Sequence, residues 1–155
     1  MGEHDKHRLL AWHLELQAAH RRLHRALRLA RESLRAGDTA AARADLLLHC
    51  QGFCAALDGH HVREDAGLFP QLSARHPSLR PTLAKLRQDH ELIAQLLRRF
   101  DHAITSDAAP DELALHLDGL SAIMHSHFRY EERELLGVLA ALDLDADPHD
   151  LLGPL

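Results

Sequence analysis

Several residue types are scarce in this chain of 155 residues, and each scarcity excludes something. Valine and isoleucine are few, while leucine and alanine carry most of the apolar content, which disfavours strands and favours helices. Only two cysteines occur, Cys50 and Cys54, in a segment of helical pattern. They exclude a disulfide scaffold and form no zinc pattern with paired histidines, and a reduced, cytoplasmic pair is the default expectation. Basic residues never run beyond a doublet (Arg21-Arg22, Arg98-Arg99), and the net charge is -5, so no face is suited to nucleic-acid phosphates. No apolar run has membrane-spanning length, and the opening MGEHDKHRLL lacks the apolar centre of a signal peptide. What remains is an ordinary globular composition, 46% apolar and 26% charged, at a length suited to one domain.

Histidine departs from this ordinary picture, with 15 residues in the chain. It is the commonest transition-metal ligand. His4, His7, His76 and His149 fall in expected termini or loops, so position has to decide which histidines matter.

Punctuation divides the chain into four helical segments. Gly37-Asp38-Thr39 closes one helix and opens the next, with Asp38 or Thr39 as N-cap. His76-Pro77-Ser78 makes a second break, with Pro81 in the following first turn, and Ser106-Asp107 with Pro110 makes a third. The expected helices cover about 7–36, 39–74, 79–105 and 110–142, and the tail 143–155 shows no helical period. Each segment carries a 3-4 apolar seam, and short connections imply an all-α, up-down-up-down four-helix bundle. The seams run from Leu9 through His13, Leu16, His20, Leu23 and Leu27 on helix 1, and from Leu46 through Cys50, Phe53, Leu57, His60 and Glu64 on helix 2. Helix 3 contributes Leu83, Leu86, His90, Ile93, Leu97 and Phe100. Helix 4 contributes Leu113, Leu117, Leu120, Met124, His127, Glu131 and Val138.

Six seam positions are thus His or Glu: His20, His60, Glu64, His90, His127 and Glu131. A buried group of this kind costs several kcal/mol unless paired or ligated, and a bundle built only for stability would place leucine there. Glu64 and His90 stand 13 residues to either side of Pro77, which sets them at one height. Helix 1 agrees less closely, with His20 17 residues before Gly37 and His60 23 after it. The His-x3-Glu pairs His60/Glu64 and His127/Glu131 each put a ring nitrogen and a carboxylate one turn apart on one face. Two such pairs can aim two carboxylates at the midline, each able to bridge two cations about 3.5–4 Å apart. Two histidines and one oxygen from each glutamate would then serve each metal, with an oxo or hydroxo bridge between them. Mixed imidazole and carboxylate ligation suits iron. Glu-x-x-His occurs nowhere, which argues against a ferritin-type site.

Neighbouring residues offer further candidates. His61 and Asp65 form a rival pair at the same spacing but lie off the seam. His61 is read as a helix-interface residue or a support for the ligands. His24, one turn beyond His20, lies toward the interior as a pocket-wall residue or a flanking, half-exposed one. Tyr130 adjoins Glu131 and is read mainly as packing, with hydrogen-bond or electron donation to the site as its sharper role. His13 is expected at the bundle end, the cysteines as small core hydrophobes, and Glu132-Arg133-Glu134 as a solvated face.

These residues resemble a known family. His60-His61-Val62-Arg63-Glu64-Asp65 followed by Leu68-Phe69-Pro70 resembles the signature of the bacterial hemerythrin-like (HHE) proteins, and His127-Phe128-Arg129-Tyr130-Glu131-Glu132 resembles its second copy. Ala19-His20-Arg21-Arg22-Leu23 and Asp89-His90-Glu91-Leu92-Ile93 resemble the single-histidine helices, and the ordered set spans about residues 7–142. The resemblance implies a non-haem diiron centre, with two Fe ions, that binds or reacts with oxygen, nitric oxide or peroxide. Oxygen carriers of this family have a second helix 3 histidine and a helix 4 aspartate where this chain has Ala94 and Glu132. The pattern is closer to the four-His, two-Glu sites of iron-centre repair proteins. Two equally open irons would favour redox reaction with peroxide or nitric oxide, or iron exchange. Peroxidase or catalase-like turnover, nitric-oxide consumption, and non-catalytic sensing, carriage or iron donation all fit this chemistry. The expected partner is a small diatomic or peroxide ligand, with no nucleic acid and no membrane; oligomeric state leaves no mark in the sequence.

Overall fold

The computed structural model describes residues 11–35 and 40–153. Leu9, His4, His7 and the Asp38/Thr39 cap lie outside the described residues. Four long helical stretches dominate: α1 (Trp12–Arg35), α2 (Ala40–Arg63), α4 (Arg80–Thr105) and α5 (Pro110–Ala140). A π-helical turn (Glu64–Leu68) joins α2 to the short α3 (Phe69–Arg75), and a 3-10 turn (Pro77–Leu79) leads into α4. The long helices pack in a ring, α1 on α2, α2 on α4, α4 on α5 and α5 on α1. The expected all-α bundle is therefore present, and among the described residues no helix is long and apolar enough to cross a membrane.

The helix starts follow the prolines. Pro81 and Pro110 occupy first-turn positions of α4 and α5, where a missing N–H costs nothing. Asp107, the only described non-glycine residue with positive φ (61°), turns the chain between them, a conformation aspartate tolerates. The π turn has a local cause as well. Pro70 has no N–H to donate and its ring crowds the preceding turn, and the Phe69 N–H reaches back five residues to the Glu64 carbonyl. The extra residue rotates the phase so that Glu64, Leu68, Phe69 and Leu72 all face inward.

The seams are buried as two apolar clusters. One contains Leu23, Leu27, Phe53, Leu57, Ile93, Leu97, Phe100, Leu117 and Met124. The other contains Trp12, Leu16, Leu68, Phe69, Leu72, Leu83, Leu86, Leu135 and Leu139. The seam differs from expectation at two places. Trp12 rather than His13 is buried on α1, and Leu135 and Leu139 rather than Val138 carry the end of α5. Cys50 is buried and Cys54 half-buried, both unpaired, and burial pushes their thiols up to about 11 and about 12. Neither is a reactive thiolate.

The tail departs from expectation. It folds into α6 (Pro148–Leu152), a helix too short to show a period, and docks on α2 and the π turn. Asp147 caps it by accepting the His149 N–H at 3.0 Å, and Pro148 occupies its first turn. The Trp12 indole donates to the Leu144 carbonyl at 3.1 Å and ties the approach to α6 onto α1. Two glycines permit this docking. A Cβ on Gly67 would meet Leu151 Cδ2 at 2.6 Å and the Asp150 carbonyl at 3.1 Å. Gly153, at φ 90°, passes so close to the His60 backbone that a Cβ would meet it at 3.0 Å.

Gly67→Val should therefore push α6 off the bundle. The expected loss in unfolding free energy is about 1–3 kcal/mol by urea denaturation; an unchanged midpoint would mean α6 contributes nothing to the fold.

Candidate metal centre

Seven polar side chains are buried among the described residues: His20, His60, His61, Glu64, His90, His127 and Glu131. They separate the two apolar clusters as a single layer. All four long helical stretches contribute, and the six seam residues singled out by periodicity meet there. The His20 and His60 rings stand 5.4 Å apart despite their unequal distances from residue 37.

The ring nitrogens and carboxylates converge. Glu64 Oε1 lies 3.3 Å from His60 Nε2 and 3.5 Å from His90 Nε2. Glu131 Oε1 lies 3.4 Å from His20 Nε2, while its Oε2 lies 3.3 Å from His127 Nε2 and 4.0 Å from His90 Nε2. Glu131 thus spans two groups, His20 with His60 on one side and His90 with His127 on the other. Donor atoms from His20, His60 and Glu131, and from Glu64, His90 and Glu131, each gather within 4.8 Å.

The far nitrogen of each of these four histidines is held. His60 Nδ1 donates to the Leu152 carbonyl of α6 at 2.6 Å. His90 Nδ1 meets Asp65 at 2.8 Å, His127 Nδ1 meets Asp89 at 3.2 Å, and His20 Nδ1 meets Glu132 at 3.3 Å. A carbonyl accepts only, and an ionised carboxylate accepts only, so the proton resides on Nδ1 and each Nε2 turns a lone pair inward. His90 Nε2 and His127 Nε2 then face each other at 3.1 Å. Two lone pairs repel at that distance unless a cation lies between them.

The layer also leaves buried atoms unpaired. Nε2 of His20, His60 and His61 and both carboxylate oxygens of Glu64 and Glu131 are buried with no hydrogen-bond partner. Natural interiors rarely leave such groups unsatisfied. Imidazole nitrogens and bridging-capable carboxylates fit a pair of divalent transition-metal ions.

Burial shapes the charges of the ion-free layer. It pushes Glu64 well above the usual carboxylate range, helped by the neighbouring Glu131 carboxylate. Burial also works against ionisation of Glu131, but contacts with Glu64, His127 and His20 together hold it well below that range. Burial takes His60 down to about 3 and His61 well below the ordinary histidine value. For His20 burial is outweighed by Glu131 and Glu132, which raise it. Without ions the layer therefore favours an ionised Glu131, a protonated Glu64, and His60 and His61 as neutral rings with a lone pair to donate.

The flanking expectations fare unevenly. His61 is buried and stacks on His90, so it does not lie off the seam; the π turn that follows leaves both His60 and His61 on the inner face. Asp65 and Glu132, each one residue beyond an inward glutamate, orient His90 and His20 rather than forming a rival pair or a solvated face. Asp89, which stands in the sequence only as the neighbour of His90, holds His127, and an acid adjoining Glu64, His90 and Glu131 is the pattern common to all three supports. His24 is exposed, 5.4 Å from the Phe128 ring, and does not reach the layer. Tyr130 faces the α4–α5 surface, with Lys85 Nζ 4.2 Å and Arg133 5.2 Å from its ring, so it neither bonds the layer nor lines it. His13 is half-buried at the bundle end, as expected.

Removing a residue that orients a ligand typically weakens metal binding about 10–100-fold. Asp65→Ala should do so in competitive chelator titrations while leaving the helical circular dichroism intact; unchanged metal affinity would show that the His90–Asp65 bond has no such role.

A family model, the hemerythrin HHE cation binding domain, matches residues 14–139. Neither the curated proteins nor the solved structures gave a match.

Proposed function

Because the chain belongs to the hemerythrin HHE cation-binding domain family, we propose that its layer holds two iron ions and binds or reacts with oxygen, peroxide or nitric oxide. His20 and His60 would hold one ion, His90 and His127 the other, and Glu64 and Glu131 would bridge them. The observation that supports this reading is the convergence of Nε2 and carboxylate atoms from four helical stretches, with His20 and His60 Nε2 and both glutamates left without a hydrogen-bond partner, while Nδ1 of His20, His60, His90 and His127 is tied down behind them. A pair of irons supplies redox capacity and a coordination position for a small molecule.

The chain's own residues account for the rest. Asp65, Asp89, Glu132 and the Leu152 carbonyl accept from Nδ1 of the four rings and so aim each Nε2 inward. Glu131 divides its two oxygens between the two histidine groups. Phe128, stacked on His20 at 3.8 Å, and the clusters on either side restrict access to small ligands and exclude bulk water.

Protein expressed in iron-replete medium should carry about two irons per chain by elemental analysis. His60→Ala and Glu131→Ala should each lose most of that metal and its near-ultraviolet absorption. A wild-type protein without transition metal, or both variants with full iron, would overturn the assignment. Stopped-flow absorption with oxygen, peroxide and nitric oxide identifies the physiological class of ligand: catalytic decay of one reagent marks turnover, and a stable reversible adduct marks carriage or sensing. Inertness toward all three would remove the reactivity from the proposal.

A further inference from the structure

A second polar constellation lies outside the layer, in the groove between α4 and α5. A cavity of about 400 Å³ opens there, within the size range of small-molecule sites. From α4 come Lys85 and Asp89, one turn apart. From α5 come Ser126, Arg129, Tyr130 and Arg133, spaced as one helical face. The buried His127 ring closes the cavity on the side of the layer.

The charges here are arranged rather than scattered. Lys85 Nζ lies 4.2 Å from the centre of the Tyr130 ring and the Arg133 guanidinium 5.2 Å from it, so one half-buried ring holds two cations beside the cavity. Cations held in advance cost less to order when a ligand arrives. Asp89 is the one carboxylate in the lining, and its Oδ2 already serves both Lys85 Nζ at 3.4 Å and His127 Nδ1 at 3.2 Å. Glu134 meets Arg133 through Nε, at 3.3 Å. Arg129 is exposed and has no hydrogen-bond or ion-pair partner among the described residues. Two guanidinium groups and an ammonium thus outnumber one carboxylate, with the Ser126 hydroxyl as a further donor.

We propose that this cavity binds a small oxyanion of two or more charges, a phosphate or a dicarboxylate, on Lys85, Arg129 and Arg133. A guanidinium offers paired N–H groups that match the edge of such a group, and the ammonium adds a point charge. The net charge of -5 repels extended polyanions, whereas a recessed cationic spot suits a compact one. The site goes beyond the paired-iron reading and does not depend on it.

Lys85 reports occupancy directly. Its side chain is 52% exposed, and the chain has only one other lysine, Lys6, which lies outside the described residues. The purified protein is treated with a lysine-acylating reagent in sodium phosphate, sodium succinate or sodium chloride of equal ionic strength, and the two lysines are quantified by mass spectrometry. Phosphate or succinate should slow acylation of Lys85 saturably and leave Lys6 unchanged; protection by one of them alone identifies the oxyanion the cavity takes. Arg129→Ala should raise the apparent dissociation constant about 10-fold or more, as loss of a charged hydrogen-bond partner requires. Arg28→Ala, the same charge change on the exposed face of α1, should alter it less than about twofold. No protection by either anion, undiminished protection in Arg129→Ala, or an equal loss in both variants would overturn the assignment. An anion lodged at the metal layer instead would leave Lys85 open to the reagent.

Discussion

A layer of buried histidine and glutamate whose inward atoms largely lack hydrogen-bond partners is the constraint on which the rest of this structure depends. Each unpaired buried polar group costs free energy, and a buried carboxylate costs several kcal/mol even after the surroundings relax. Here those groups point at one another across the bundle axis. Each Nδ1 already carries a ring proton toward an acceptor behind it, so protonating every inward Nε2 as well would bury several imidazolium charges side by side. Metal ions can take up the inward lone pairs and the carboxylate charge together. The stability that the layer forfeits has to come from the apolar clusters on its two sides and from the ions that enter it.

The peripheral elements make sense as supports for that layer. The π turn lets one helix place His60, His61 and Glu64 inward and then continue with Leu68, Phe69 and Leu72. The α6 segment covers the back of His60, and its last carbonyl holds that ring. Gly67 and Gly153 have no side chain because this segment must come that close. Acids on α4, α5 and the π turn hold the other rings from behind, at the boundary with solvent, where a carboxylate retains its charge at little cost. A rigid set of donors follows, and rigidity at such a site limits reorganisation when an ion or a small ligand arrives.

Much of this was legible from period and spacing. Histidine and glutamate on apolar seams stand out because the seam itself is so regular, so His20, His60, Glu64, His90, His127 and Glu131 were all readable. So were the helix starts at Pro81 and Pro110. The reading failed where its assumption of an unbroken 3.6-residue period failed. Counted that way His61 falls off the seam, yet it is buried with His60 just before the π turn. Of the two readings open for His24, pocket wall or flanking residue, its exposure fits the second, because the α1 surface one turn from His20 faces solvent. The tail shows no helical period because five helical residues are too few to carry one, although Asp147-Pro148 is a cap followed by a first-turn proline.

By itself the sequence determined an all-α chain, the four inward faces and the chemistry of the donors, because these follow from local propensity and from which residue types tolerate burial. Tertiary structure alone decided how those donors are organised. Which nitrogen of each ring faces inward depends on partners distant in sequence: Asp65 for His90, Asp89 for His127, Glu132 for His20 and Leu152 for His60. The stacking of His61 on His90 and of Phe128 on His20 likewise appears only when α2 meets α4 and α5 meets α1. Periodicity along one helix states which face is buried; only packing states what each buried atom meets.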